Sequence, residues 1–191
     1  MAPKGKRKKG KPQLVGLDES RRFLAVALDQ GKSGDAGAIA AATALLLGMR
    51  ASEISDRTVR ELDDGGRILL ISEAKTQAGV RRLMVPEVLQ PLLLGLAKGK
   101  DSGARLFGHD RHWVLRSVAR ICRLAGLPRI GPHGLRGVHA TLAVEAGMSG
   151  PLVASSLGHA SFAVTERHYA KADAVAGARV GRVLHAVVRK P

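Results

Sequence analysis

The chain has few of the residues that cross-link secreted domains or anchor proteins in membranes. It contains one cysteine, Cys122, in 191 residues, so an internal disulfide is excluded and a reducing cytoplasm is the expected compartment. Its most apolar run, residues 36–49, is too short to cross a bilayer and is interrupted by Gly37 and Gly48. The basic N-terminal stretch is not followed by an apolar segment and is therefore not a signal peptide. We expect no membrane partner.

Aromatic and acidic residues are also scarce. Phenylalanine, tryptophan and tyrosine make up 3% of the chain, which leaves few surfaces on which unpaired bases could stack. The 16 acidic residues face 31 lysines and arginines, a formal net charge of +15. This excess favours a polyanionic partner, and double-stranded DNA is the predicted one. A basic protein without a nucleic-acid partner is the alternative.

The positive charge is concentrated at the N-terminus. Residues 1–12 carry six basic side chains and no acid, which leaves an excess of nine for the rest of the chain. Such a run is typical of a flexible, phosphate-binding tail, so residues 1–16 are predicted to be a basic tail and residues 17–191 one folded domain. The tail residues predicted to bind DNA are Lys4, Lys6, Arg7, Lys8, Lys9 and Lys11.

Apolar spacing and turn residues predict several helices and one β-hairpin. Helices are expected over residues 17–29, 38–48, 86–96 and 112–124, followed by two short ones after residue 132. The first helix is expected to have Asp18 or Ser20 as its N-cap. Strands over residues 67–72 and 80–85 flank a loop, which places Lys75 at the tip of the hairpin.

Residues 133–171 carry side chains suited to phosphate chemistry. His133 and Arg136 lie in the segment HGLR, His159 lies in LGHAS, and Tyr169 is the single tyrosine of the chain. A guanidinium can bind two phosphate oxygens at once, and imidazoles can donate a hydrogen bond or move a proton. A phenol can attack phosphorus and form a covalent intermediate.

These segments resemble the catalytic core of the tyrosine recombinases, the phage-integrase family. Two further features of that family have counterparts here, because Arg50 in GMRASE resembles its first arginine box and Lys75 occupies the place of its hairpin lysine. The resemblance covers roughly residues 17–171. It implies an α+β, mainly α-helical fold, the tyrosine-recombinase catalytic domain with a small antiparallel β-sheet.

The resemblance also implies an activity, site-specific cutting and rejoining of duplex DNA through a 3′-phosphotyrosyl intermediate. It implies that no metal or nucleotide cofactor is needed. Tyr169 would be the nucleophile, Lys75 the general acid, and the two arginines and two histidines would bind and orient the phosphate. The implied catalytic residues are Arg50, Lys75, His133, Arg136, His159 and Tyr169. The chain departs from the family pattern in two places, since Tyr169 lies one residue further beyond His159 than is usual and Gly137-Val138 replaces the common His-Thr.

Further expectations concern partners. A homo-oligomer on DNA, dimer to tetramer, is expected, with residues 172–191 either exchanged between protomers or folded back on their own core. The location is the cytoplasm, in association with the nucleoid. A DNA-relaxing enzyme of the type IB topoisomerase kind and a non-catalytic DNA-binding relative are the alternatives, and the latter would be expected to have lost a catalytic side chain. Phosphate contacts of the folded domain are predicted for Arg81, Arg82, Arg116 and Arg120.

Overall fold

The computed structural model describes residues 16–73 and 79–158. Seven α-helices and one three-stranded antiparallel sheet lie within these ranges. The helices are α1 (Leu17–Lys32), α2 (Ala36–Leu46), α3 (Ala51–Asp56), α4 (Gln90–Ala97), α5 (Arg111–Leu124), α6 (Pro132–Glu145) and α7 (Gly150–Ser156). The strands are β1 (Leu62–Asp63), β2 (Ile68–Ile71) and β3 (Arg81–Met84). The prediction of a mainly helical domain with a small antiparallel sheet is confirmed.

Helix α2 is the centre of the core. Its residues from Gly37 to Leu46 are all buried, and α1, α5 and α6 pack around it. The sequence AGAIAAATALL lets these neighbours approach closely because most of its side chains are small. A Cβ on Gly37 would lie 2.7 Å from Ser117 Oγ on α5. The nearly uniform apolarity of this segment therefore reflects packing on every side.

The predicted hairpin is present as strands β2 and β3. They pair antiparallel with Ile68 opposite Met84 and Ile71 opposite Arg81, and β1 extends the sheet on the other side of β2. Leu69, Ile71 and Leu83 turn inward to the core. Lys75 lies outside the described residues, so its place at the hairpin tip stays a prediction.

The first helix begins at Leu17 as predicted, but its predicted N-cap is wrong, and so is the predicted start of α4. The N-cap of α1 is Gly16, whose backbone N–H donates to the Glu19 carboxylate at 2.7 Å, rather than Asp18 or Ser20. Helix α4 begins at Gln90, four residues after Pro86. A helix from residue 86 would place Pro91 in its interior, where proline has no N–H to donate. The start at Gln90 instead puts that proline in the first turn, where the missing donor costs nothing.

None of the helices within the described ranges combines the length and the apolar character that crossing a bilayer requires.

Candidate active site

Arg50 lies in the short connection between the central helix α2 and helix α3. It is the N-cap residue of α3, and its backbone N–H donates to Glu53 Oε2 at 2.8 Å. Its Nη1 donates to Glu53 Oε1 at 2.6 Å. The Arg50 side chain is 42% exposed, so this guanidinium is held on one side by a carboxylate while another part of it faces solvent.

Gly48 allows this connection to pass close to the helices that follow later in the chain. Its φ is +61°, and a Cβ at this position would lie 2.7 Å from both His139 Cδ2 on α6 and Leu157 Cδ2 after α7. Its carbonyl accepts a hydrogen bond of 2.7 Å from Arg136 Nη1. A side chain at residue 48 would therefore push the connection between α2 and α3 away from His139 and Leu157.

Gly48→Ala is expected to destabilise the protein by roughly 3 kcal/mol, because a strained positive φ and overpacking each cost about 1–3 kcal/mol. Urea unfolding measures the change. Gly99→Ala is the matched control, because Gly99 has a φ of +74° and a Cβ added there would meet no atom within 4 Å, so that this variant should show the backbone cost alone. Equal losses in the two variants would contradict the close packing at Gly48.

Glu53 joins three arginines from separate parts of the chain. Its carboxylate is almost fully buried and accepts hydrogen bonds from Arg50 and, at 3.0 and 3.2 Å, from Arg81 on β3. Arg136 Nη1 lies 3.9 Å from its Oε2. Burial raises the pKa of Glu53, but the hydrogen bonds from Arg81 and Arg50 and the charge of Arg81 outweigh it, so that the net pKa is lowered. Glu53 is therefore ionised at neutral pH.

The HGLR segment forms the first turn of α6. Gly131 is the N-cap, Pro132 occupies the first turn, and His133 is exposed beside it. Arg136 follows one turn later and is 3% exposed. Besides Gly48, it donates to the carbonyl of Leu157, two residues before the LGHAS histidine. Arg136 thus connects α6 to the α2–α3 connection and to the end of α7.

Positive charge predominates among the described side chains of this site. Within residues 16–73 and 79–158, the guanidiniums of Arg50, Arg81 and Arg136 lie around the carboxylate of Glu53. The first turn of α6 lies next to them, and a helix N-terminus also favours negative charge. Together these groups make a site suited to an anion with several oxygens, such as a phosphodiester.

His139 on α6 packs against the connection that carries Arg50. Its ring lies against Gly48, and its Nδ1 donates to the Leu45 carbonyl at 3.0 Å. Because a carbonyl can only accept, the proton of the neutral ring is on Nδ1. Burial lowers the pKa of His139 to about 4, and the positive charges of Arg136 and Arg81 act in the same direction, against the smaller effect of the Leu45 hydrogen bond. The folded protein therefore requires an uncharged ring here.

This requirement predicts a loss of stability in acid. With an ordinary pKa of 6.5 when unfolded and about 4 when folded, the neutral ring contributes its full stabilisation above pH 6.5 and loses it as the pH falls toward 4. The loss amounts to about 3 kcal/mol between pH 7 and pH 4.

Urea unfolding of wild type and His139→Gln at both pH values measures this loss, since glutamine keeps a hydrogen-bond donor without titrating. Thr141→Ala on the same helix is the control and should match wild type in its pH dependence. An equal pH dependence in His139→Gln would contradict the assignment.

A second buried ion pair braces α3 against the sheet. Arg57 donates to the Glu53 carbonyl at 2.8 Å, to Glu61 Oε1 at 2.6 Å and to the Leu70 carbonyl at 2.8 Å. Glu61 in turn accepts a hydrogen bond from Ser72. Burial raises the pKa of Glu61, but the hydrogen bonds from Ser72 and Thr58 and the charge of Arg57 lower it overall. Strand β2 is thereby tied to α3 just before the segment that carries Lys75.

The structure separates the predicted DNA contacts into two kinds. Arg82 and Arg116 are exposed and remain predicted phosphate contacts. Arg81 is 8% exposed and has internal partners, while Arg120 forms an ion pair with Asp35, the N-cap of α2. Internal partners of this kind favour structural roles for Arg81 and Arg120, and their contact with DNA stays a prediction.

Of the six predicted catalytic residues, the structure places three. Arg50 and Arg136 lie together around Glu53, and His133 is one turn before Arg136 on α6. Lys75, His159 and Tyr169 lie outside the described residues, as do the basic residues of the tail.

The sequence patterns did not predict that Glu53 and Arg81 belong to the candidate site. The alternation along β3 contains the missing signal, because Arg81 shares the inward face with Leu83 while Arg82 and Met84 are exposed. An inward arginine requires a buried acceptor, and Glu53 provides it.

Comparison with known proteins agrees with this geometry. A model of the phage integrase family matches residues 18–175. The tyrosine recombinase XerC of Mycobacterium tuberculosis is 29% identical over 178 aligned residues, which cover 81% of this chain and 57% of XerC. XerC of Mycobacterium bovis matches equally well. The chain thus spans a little over half the length of these relatives.

Solved structures share the fold at lower identity. The XerA recombinase is similar with a TM-score of 0.71 and 22% identity, over 99% of this chain and 68% of XerA. The Tn1549 transposon integrase, solved in complex with circular intermediate DNA, has a TM-score of 0.69 and 20% identity over 86% of this chain and 64% of its own. The fold is therefore that of a tyrosine-recombinase catalytic domain. Since the family model covers most of the chain and the arginine-rich site lies within the matched region, the chain belongs to the phage integrase family.

Proposed function

We propose that this chain is a site-specific recombinase or integrase that cuts and rejoins duplex DNA through a 3′-phosphotyrosyl intermediate. The observation that carries the proposal is that Arg50 and Arg136, from distant parts of the chain, converge on the carboxylate of Glu53. A phosphodiester gains negative charge on its non-bridging oxygens as it is attacked, and preorganised guanidiniums stabilise that charge. Membership in the phage integrase family supports the same function.

The proposed reaction conserves the phosphodiester energy in covalent form. The Tyr169 oxygen attacks phosphorus while its proton passes to His133 or to water, the bond from phosphorus to the 5′-oxygen breaks, and Lys75 protonates that departing oxygen. Arg50 and Arg136 bind the non-bridging oxygens, and His159 donates a further hydrogen bond. His133 assists proton transfer or orients the phosphate. Attack by a 5′-hydroxyl on the phosphotyrosine then rejoins a strand and releases Tyr169.

The proposed partner is double-stranded DNA, bound by a homo-oligomer of two to four protomers. Relatives with a similar fold support this assignment, since XerH was solved bound to its difH substrate and a lambda integrase dimer was solved on a core site. Exposed Arg82 and Arg116 and the basic tail would contact phosphates without reading sequence. Residues 172–191 would dock on a neighbouring protomer.

The function can be tested with a pool of duplexes that have a randomised core and a nick. Cleavage next to the nick releases a short fragment with a 5′-hydroxyl and traps the protein on the DNA. We expect a protein–DNA band that survives denaturant, and sequencing of the trapped DNA should show a preferred site. A trapped pool without sequence preference, combined with relaxation of supercoiled plasmid, would favour a topoisomerase instead. Absence of any trapped band would contradict DNA cleavage.

A further inference from the structure

Arg81 occupies a position that connects three segments of the candidate site. It is the first residue of β3, directly after the hairpin segment that contains Lys75. Its Nε donates to the carbonyl of Ser156 at 2.8 Å, in the last turn of α7. Its Nη1 donates to the Gly79 carbonyl at 2.9 Å, and both terminal nitrogens donate to Glu53 on α3. One guanidinium thus connects β3, α3 and α7.

The contact with Glu53 affects the neighbouring Arg50. Glu53 accepts from Arg50 at 2.6 Å and from Arg81 at 3.0 Å, so the two arginines share one buried carboxylate. Arg81 is 8% exposed whereas Arg50 is 42% exposed. Arg81 is therefore the inner partner that holds the carboxylate in place, and Arg50 is the outer one that reaches solvent. Loss of Arg81 would remove two of the hydrogen bonds that hold the Glu53 carboxylate and would thereby loosen the Arg50 guanidinium bound to it.

The charge of Arg81 also supports an effect on Arg50. With Arg81 present, the carboxylate of Glu53 is compensated by a guanidinium that stays inside the protein, and the partly exposed Arg50 can offer its charge to an external anion. Without Arg81, the same carboxylate would draw more strongly on the charge of Arg50. Because the groups are partly buried, this change is screened weakly by solvent.

We propose that Arg81 is a positioning residue for strand cleavage, which acts through Glu53 to orient Arg50 and through Ser156 to fix the end of α7. Arg81 does not touch the reacting phosphate in this arrangement. The inference rests on the proposed function, because its effect is measured on the cleavage step. It assigns Arg81 a different role from the contact to the DNA backbone that composition alone suggests.

The role requires a guanidinium rather than a positive charge alone. A lysine at residue 81 could reach Glu53 or the Ser156 carbonyl, but a single ammonium cannot reproduce the fixed fork that serves both. Arg81→Lys is therefore expected to slow cleavage by roughly tenfold, and Arg81→Met by roughly 10- to 100-fold, the scale for misplacing a catalytic group from a distance. DNA affinity should change little in either variant, which is the opposite of what a phosphate contact would show.

A double-mutant cycle tests the path through Arg50. The rate of covalent adduct formation is measured with saturating protein for wild type, Arg81→Met, Arg50→Ala and the double variant, with urea unfolding run in parallel. If Arg81 acts through Arg50, its replacement should cost much less in the Arg50→Ala background than alone. Arg67→Met is the matched control, since it removes an arginine from an exposed ion pair with Asp64 and should cleave at the wild-type rate.

The outcomes separate the two proposals. Additive losses in the cycle would overturn the path through Glu53 to Arg50. A normal rate in Arg81→Met, or a loss confined to DNA affinity, would overturn the positioning role as a whole, and each of these results leaves the proposed function intact. Failure of the unsubstituted protein to form any adduct would overturn the proposed function itself. If Arg81→Met does not fold, Arg81→Lys in the same cycle provides the decision, because it retains the charge that Glu53 requires.

Discussion

Tyr169→Phe is expected to abolish the denaturant-resistant protein–DNA band completely. The substitution removes one oxygen atom, the proposed nucleophile, and leaves the rest of the ring in place. Tyr169 is the single tyrosine in 191 residues, so the chain has no second phenol that could take over the attack. Nicked duplex from the trapped pool, incubated with each protein and analysed under denaturing conditions, measures the effect.

The loss must come from chemistry and not from DNA binding. A gel-shift titration of Tyr169→Phe should show the affinity of the wild type, since a phenylalanine preserves the size of the side chain. Thr165→Val, which removes a hydroxyl from the same segment, is the matched control and should still form the band. Persistence of the band in Tyr169→Phe would show that another group is the nucleophile.

Arg136→Ala is expected to slow strand cleavage by roughly a hundredfold or more, the scale for losing one donor to a developing oxyanion. It should also destabilise the fold by roughly 2 kcal/mol, because Arg136 donates to the Gly48 and Leu157 carbonyls and unpaired buried acceptors are costly. The rate is measured under single-turnover conditions with saturating DNA, and stability by urea unfolding.

Two further variants separate these effects. Arg136→Lys keeps the positive charge and should recover much of the stability, yet it should remain slow because an ammonium lacks the planar fork that spans two oxygens. Arg129→Ala removes an exposed arginine just before α6 and controls for the general loss of charge. A folded Arg136→Ala protein that cleaves at the wild-type rate would exclude Arg136 from the catalytic group.

Much of the architecture could be predicted from the chain alone. The helix of Arg111–Leu124 follows from the spacing of its apolar residues. The pairing of β2 with β3 follows from two apolar runs that flank a short loop. Both patterns are local properties of the sequence. The same holds for Ala36–Leu46, whose apolar composition indicates a central helix. The ends of the helices are harder to predict, because several residues near an end can serve as the cap and the choice depends on small differences in energy.

The chemistry of the site was also visible in the sequence, since the boxes around Arg50, His133 and Arg136 resemble one family and the family comparison confirmed that resemblance. The order of these boxes along the chain does not show which groups meet. Arg136 and the Gly48 carbonyl are 88 residues apart, and Arg120 and Asp35 are 85 apart.

Only the tertiary structure decided which positive charges face inward. Arg81 and Arg82 are neighbours of the same type, yet one is bound to Glu53 and the other is exposed. Composition assigns both to a polyanionic partner, because it counts charges without regard to direction. The sequence by itself determined the family, the element types and the candidate catalytic side chains. Packing of α3, β3 and α7 decided that Arg50 and Arg81 share Glu53. A buried carboxylate needs hydrogen-bond donors and compensating charge, and Arg81 supplies them from 28 residues away in the sequence.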